Sequence, residues 1–154
     1  MMYSMMKDVI TRGTARRATQ LNRKDLAGKT GTTNDQKDAW FSGFNGKTVT
    51  TVWIGFDSVK PLGGQETGAR AALPVWIDYM REALKDTPET ELVAPPGIVT
   101  VRIDPDSGGL SGVGSKGAVQ ESFRERDVPG SSGTAAGGQA PQGEAPPADA
   151  EQLF

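Results

Sequence analysis

Leu26-Ala27-Gly28-Lys29-Thr30-Gly31-Thr32-Thr33, followed after a polar connection by Ala39-Trp40-Phe41-Ser42-Gly43-Phe44, decides how this chain folds. Asp25 to Thr33 reads as a strand, although its glycines weaken the local preference. Ala39 to Phe44 reads as a second strand. Asn45-Gly46 then gives a strong hairpin signal, because both residues accept positive φ in a type I′ turn. Thr48 to Phe56, rich in β-branched and aromatic residues, supplies a third strand. Short connections favour adjacent antiparallel pairing over crossovers. Within the first strand, Lys29-Thr30-Gly31-Thr32-Thr33 places a lysine, hydroxyls and a side-chain-free glycine in succession. That set suits one wall of an acyl-transfer cleft. The chain offers no convincing nucleophile to work with it.

Outward from the strands, both flanks read as helices. Met2, Met5, Met6, Val9 and Ile10 follow the spacing of a buried helical stripe over residues 3–12, with Gly13 as the stop. The pattern opens with no N-cap, as a truncated fragment would. Residues 14–24 are polar and basic and read as a loop. Across residues 1–33 the charge is basic, with seven Lys and Arg against Asp8 and Asp25, which reads as a solvated helix and loop or as a means of drawing an anionic substrate toward Lys29. Downstream, residues 57–66 form a Gly/Pro loop. Leu73, Trp76, Ile77, Met80 and Leu84 put one apolar face on a helix within Thr67–Lys85. Pro74 lies near its start, where a missing N–H matters little. Gly68, Ala69, Ala71 and Ala72 keep its first turns slim enough to approach a sheet closely. Ile98 to Asp104 alternates as a strand, closed by a turn over Pro105 to Gly109, with 118–124 as a weak partner strand. The fold class is α+β, an antiparallel sheet packed by helices. Three strands cannot satisfy the apolar faces of both helices, so further protein is expected to cover them.

The 154 residues allow one domain at most. From Pro129 to Phe154 the composition shifts to Gly, Ala, Pro, Ser and Gln, which cannot bury enough apolar surface to offset ordering, so that stretch reads as a disordered tail. There is no Cys and no His, and the net charge is −2. This removes thiol nucleophiles, imidazole bases, disulfides and thiolate or imidazole zinc sites. No metal or cofactor is implied. The acidic remainder carries no nucleic-acid module. No apolar run near the length of a membrane span occurs, and no leader pattern.

Two short motifs compete with the first-strand reading. Gly28-Lys29-Thr30 invites a phosphate loop, but the position that should hold the first glycine is Arg23, and extended chain rather than a helix follows. Ser4-Met5-Met6-Lys7 matches Ser-x-x-Lys, in which a lysine one turn away deprotonates a serine. The surrounding apolar stripe explains that helix as packing, and no orienting group stands beside it.

Taken together, Leu26 to Asp35, Asp38 to Phe44, Val52 to Asp57, Gly68 to Trp76 and Ile103 to Gly108 resemble the class A bifunctional penicillin-binding proteins, nearest the 1A type of Gram-negative bacteria. The resemblance covers about residues 1–125. It implies the C-terminal part of a penicillin-binding, β-lactamase-like transpeptidase fold. Residues 1–86 would belong to the transpeptidase domain, 87–128 to a C-terminal β extension and 129–154 to the tail. The implied activity is D,D-transpeptidation, in which a serine attacks D-Ala–D-Ala and the acyl-enzyme passes to an amine of a second stem peptide. The family uses Ser-x-x-Lys, Ser-x-Asn and Lys-Thr-Gly. Only the third is here in the right place. No Ser-x-Asn occurs, and Ser4 lies too close to Lys29 in the sequence to be the family's nucleophile.

By resemblance, Lys29 directs positive charge toward the substrate carboxylate and the absent Ser-x-Asn serine. The hydroxyls of Thr30 and Thr32 bond the terminal carboxylate. The Thr32 N–H is half of an oxyanion hole. Gly31 leaves room for substrate along the strand, and Thr33 completes the substrate-binding stretch Thr30 to Thr33. The partners implied are peptidoglycan stem peptides, β-lactams and the rest of the transpeptidase domain. The parent would sit at the periplasmic face of the inner membrane through an N-terminal anchor and carry a glycosyltransferase domain. The 154 residues alone are expected to be inactive. The alternative is a non-catalytic module that binds a peptide or carboxylate by strand addition.

Overall fold

The computed structural model describes residues 1–90 and 92–130. The expected tail lies almost wholly outside them. The three central strands form where the sequence places them: β1 (Ala27–Thr32), β2 (Ala39–Phe44) and β3 (Val49–Ile54). They pair antiparallel in chain order, with Lys29 opposite Ser42, Gly31 opposite Trp40, and Trp40 opposite Trp53. A second antiparallel pair joins β4 (Ile98–Ile103) to β5 (Val119–Arg124).

Helix α1 (Met2–Thr11) precedes the sheet. A π-helical segment, Gly68–Ala72, runs into α2 (Leu73–Ala83) after it. Pro74 takes the first turn of α2 as expected. The apolar face that the spacing marks on α2 is buried, with Leu73, Trp76, Ile77 and Met80 inside and Leu84 just beyond, while Val75 and Tyr79 on the other side stay exposed. The buried side chains pack on the sheet face that carries Leu26, Phe41 and Val52. Phe41 meets Trp76 edge to face at 4.9 Å between ring centres. Gly43 lets the indole lie flat on β2, since a Cβ there would stand 2.5 Å from Trp76 Cζ2.

Three sequence expectations need correcting. The methionine stripe of α1 is not buried by these residues. Met2 and Met5 are 68% and 58% exposed; Ile10 is the buried residue of α1, with half-buried Val9 packed against the core. Residues 14–24 are not simply a loop. A 3-10 turn at Arg16–Leu21 buries Ala15 and Ala18 completely, so two small side chains hidden among basic ones complete the core under α2. The hairpin between β2 and β3 forms, but Asn45 and Gly46 do not take positive φ. The strands end at Phe44 opposite Val49, leaving Asn45 to Thr48 as the connection. Asn45 Oδ1 accepts from the N–H groups of Lys47 and Thr48, at 3.0 and 2.8 Å. Its side chain braces the turn beside the backbone bond from the Asn45 N–H to Thr48 O at 2.9 Å, while its Nδ2 meets a second requirement of the fold.

That requirement is Asp25, fully buried at the foot of β1. Arg23 grips its carboxylate with two N–H groups at 2.9 and 2.8 Å. Asn45 Nδ2 donates to it at 3.1 Å and the Thr90 N–H at 3.0 Å. Arg23 also donates to Thr87 O at 2.7 Å. One carboxylate thus ties the entry to β1, the β2–β3 turn and the chain after α2. Burial pushes its pKa up, but the bonds from Arg23, Thr90 and Asn45 overrule burial and hold it below the ordinary carboxylate value.

Candidate functional site: the open edge of β1

β1 lies at one edge of the sheet, and among the described residues no strand pairs with its outer side. Hydrogen-bonded and non-bonded pairs alternate along an antiparallel ladder. The Thr33 N–H donates to Asp38 O at 3.1 Å, so Thr33, Gly31 and Lys29 turn their amides toward β2. Thr32 and Thr30 therefore turn their N–H and C=O groups outward, to the open edge.

The side chains divide by the period of two. Lys29 and Gly31 lie on the face with Trp40, Ser42, Thr51 and Trp53, where Ser42 and Thr51 share a hydrogen bond of 2.9 Å. The Lys29 side chain is exposed, and its ammonium curls over the edge to donate to Thr30 O at 2.7 Å. Thr30 and Thr32 lie on the opposite face, the one that meets the helices. Thr30 Oγ1 is 2.8 Å from Thr14 Oγ1, and Thr32 Oγ1 accepts from the Gly68 N–H at 3.0 Å. Thr33 closes the strand: its hydroxyl donates to Asp38 Oδ2 at 3.3 Å and accepts from the Asp38 N–H at 2.8 Å.

Asp38 and Thr14 carry no signal of a site in the sequence, and Gly68 is legible there only as a slim start to a helix. Asp38 Oδ1 also accepts from Trp53 Nε1 at 2.8 Å, so this carboxylate spans from the end of β1 to β3. Trp53 leans on Trp40 with ring centres 6.1 Å apart, and Trp40 flanks Gly31. No periodic pattern marks such a link. Ser4 stands on α1 and lines a hollow with Tyr3, Ile98 and Ser122. Among the described residues no cluster of three or more His, Cys, Asp or Glu is placed to hold a metal ion. No helix among them is long and apolar enough to cross a membrane.

Chemically, the edge offers one exposed ammonium, two outward amides and two hydroxyls within four consecutive residues. An extended chain ending in a carboxylate can pair with the amides while the cation and hydroxyls meet its charge.

The comparisons give this geometry a family. No protein-family model matches the chain. Penicillin-binding protein 1A of Pseudomonas aeruginosa is 56% identical over 128 residues, which is 83% of this chain and 16% of that protein. The protein of the same name from Neisseria lactamica is 56% identical over 98 residues, 64% of this chain and 12% of that protein. A 2.6 Å crystal structure of penicillin-binding protein 1A from Haemophilus influenzae superposes with a TM-score of 0.74 at 41% identity, over 82% of this chain and 20% of that one. The α+β unit is therefore part of a transpeptidase-like fold. At this identity over most of its length, the chain belongs to the penicillin-binding protein 1A family. It spans about a sixth of the Pseudomonas relative.

Proposed function

We propose that these residues supply one wall of the acyl-transfer pocket of a peptidoglycan D,D-transpeptidase, and that the attacking serine comes from polypeptide outside the 154 residues. One observation carries the reading. The open edge of β1 presents the Lys29 ammonium together with the outward N–H groups of Thr30 and Thr32. On this reading a stem peptide or β-lactam lies antiparallel along β1. Thr30 and Thr32 hydroxyls meet its carboxylate, Lys29 adds positive charge, and the Thr32 N–H stabilises the tetrahedral oxyanion. Gly31 leaves room for the ligand along the strand, and Thr33, held by Asp38, fixes the strand's end.

The chain would then be chemically silent alone and active in its parent, which would also hold the glycosyltransferase domain and the anchor at the periplasmic face of the inner membrane. Residues 1–86 would belong to the transpeptidase domain and 87–128 to a C-terminal β extension. The exposed face of α1 supports a covering surface from the rest of that domain. The test is a chimera in which this chain replaces the matching stretch of the Pseudomonas relative. Lys29→Ala should slow its acylation by fluorescent penicillin by about 10²-fold or more. Undiminished labelling would remove Lys29 from the role. The open edge also favours simple strand addition, and peptide binding without acylation in the chimera would select that reading instead.

A further inference from the structure

Gly68 opens a continuous helical run, the π-helical segment and α2, that extends to Ala83. It is buried, and its backbone lies against the Gly31–Trp40 pair. A Cβ at this position would stand 2.2 Å from Trp40 O and 2.5 Å from Gly31 O. Only glycine allows the first N–H of the run to come within 3.0 Å of Thr32 Oγ1. The direction of this bond matters. A backbone N–H can only donate, so the Thr32 hydroxyl must accept. A hydroxyl has one hydrogen and two lone pairs. With a lone pair held by Gly68, its hydrogen is aimed away from the helix, and Thr32 is exposed at the edge of β1. The positive end of the helix dipole stands behind the same oxygen. Thr30 differs, because its partner Thr14 is another hydroxyl and either can donate. The scaffold therefore confines the Thr32 hydrogen to directions away from the helix, while Thr30 and Thr14 can exchange donor and acceptor roles.

We infer that Gly68 is a positioning residue: its N–H holds the Thr32 hydroxyl as a donor and biases the β1 edge toward ligands that end in a carboxylate over the same ligands ending in a neutral ester. The inference rests on the reading of β1 as an acyl-transfer wall. A hydrogen bond to a charged acceptor is about twice as strong as one to a neutral acceptor. Losing the fixed donor therefore weakens recognition of the acid more than that of the ester.

The experiment uses the chimera with the Pseudomonas relative and two acyl donors, benzylpenicillin and its methyl ester, with acylation followed by intact mass. Two variants are compared with the unsubstituted chimera. Gly68→Ala forces the helix off the strand. Replacement of the Thr67–Gly68 amide by an ester linkage deletes the N–H and adds no bulk, so it carries the test even if Gly68→Ala does not fold. The acid-to-ester ratio of acylation rates should fall about tenfold in either variant, and in the variant with the ester linkage the rate with penicillin methyl ester should hold. An unchanged ratio, or an equal fall for both compounds, overturns the inference while leaving the wall reading intact. Absence of labelling by either compound in the unsubstituted chimera overturns the wall reading, and this inference with it.

Discussion

Removing the Asp25 carboxylate should be among the most damaging single changes available in the described residues. In Asp25→Ala, the Arg23 guanidinium loses its paired acceptor while its side chain remains only 12% exposed. It keeps Thr87 O and Pro88 O, which are neutral. Asn45 Nδ2 and the Thr90 N–H lose their acceptor as well. Breaking a buried ion pair by deleting one member costs about 3–5 kcal/mol. Each orphaned neutral donor adds about 1–3 kcal/mol where water cannot reach it. These losses overlap, and a net figure of about 4 kcal/mol is set by the ion pair. Whole domains are stable by only about 5–15 kcal/mol. In urea, with a slope of about 2 kcal/mol per molar, the midpoint should drop by about 2 M. Tryptophan emission follows the transition, because Trp76 is sealed against Phe41. The double change Arg23→Leu with Asp25→Leu should be milder than Asp25→Ala, since it leaves no stranded charge. A midpoint shift below about 0.5 M for Asp25→Ala, taken with the same slope, would refute the claim that this carboxylate clamps the fold.

Three further outcomes follow from the same geometry. Asp25 has a folded pKa below its ordinary value of 3.8, so its contribution is complete above that value and is lost as pH falls through the lower folded one; the urea midpoint should decline less steeply below pH 4 in Asp25→Asn than in the unsubstituted chain, and an identical decline would count against it. Gly43→Ala pushes a methyl into Trp76 and should destabilise by about 1–3 kcal/mol by thermal melting, whereas no change would mean that the indole has room to retreat. Met5→Gln should move the stability of the isolated chain by less than about 0.5 kcal/mol, because the side chain is 58% exposed, but should lower that of the chimera; equal effects in both would remove the argument that more protein covers α1.

Much of the fold was legible because its signals are local. The alternation in β2 and β3 and the spacing of Leu73, Trp76, Ile77, Met80 and Leu84 each lie within a single element. The open-edge lysine and threonines were legible for the same reason, as consecutive residues. What escaped depends on partners distant in sequence. Asp25 reads as one polar residue beside a basic loop, and only the fold brings Asn45 and Thr90 to it, from 20 and 65 positions away. The Asn45 side chain serves both that carboxylate and its own turn, and the turn type that Asn45-Gly46 favours locally does not form. Ala15 and Ala18 are too small to show a pattern between Arg16, Arg17 and their polar neighbours. The slimness of the Gly68 segment was visible, but its target on Thr32 was not, because a backbone N–H leaves no mark in a sequence.

The most direct measurement is covalent labelling of the 154-residue chain and of the chimera, side by side, with fluorescent penicillin, followed by peptide mapping of the adduct. The chain should stay unlabelled, and the chimera should be labelled on a serine in the Pseudomonas portion. An adduct on Ser4, or on any other residue of this chain, would contradict this.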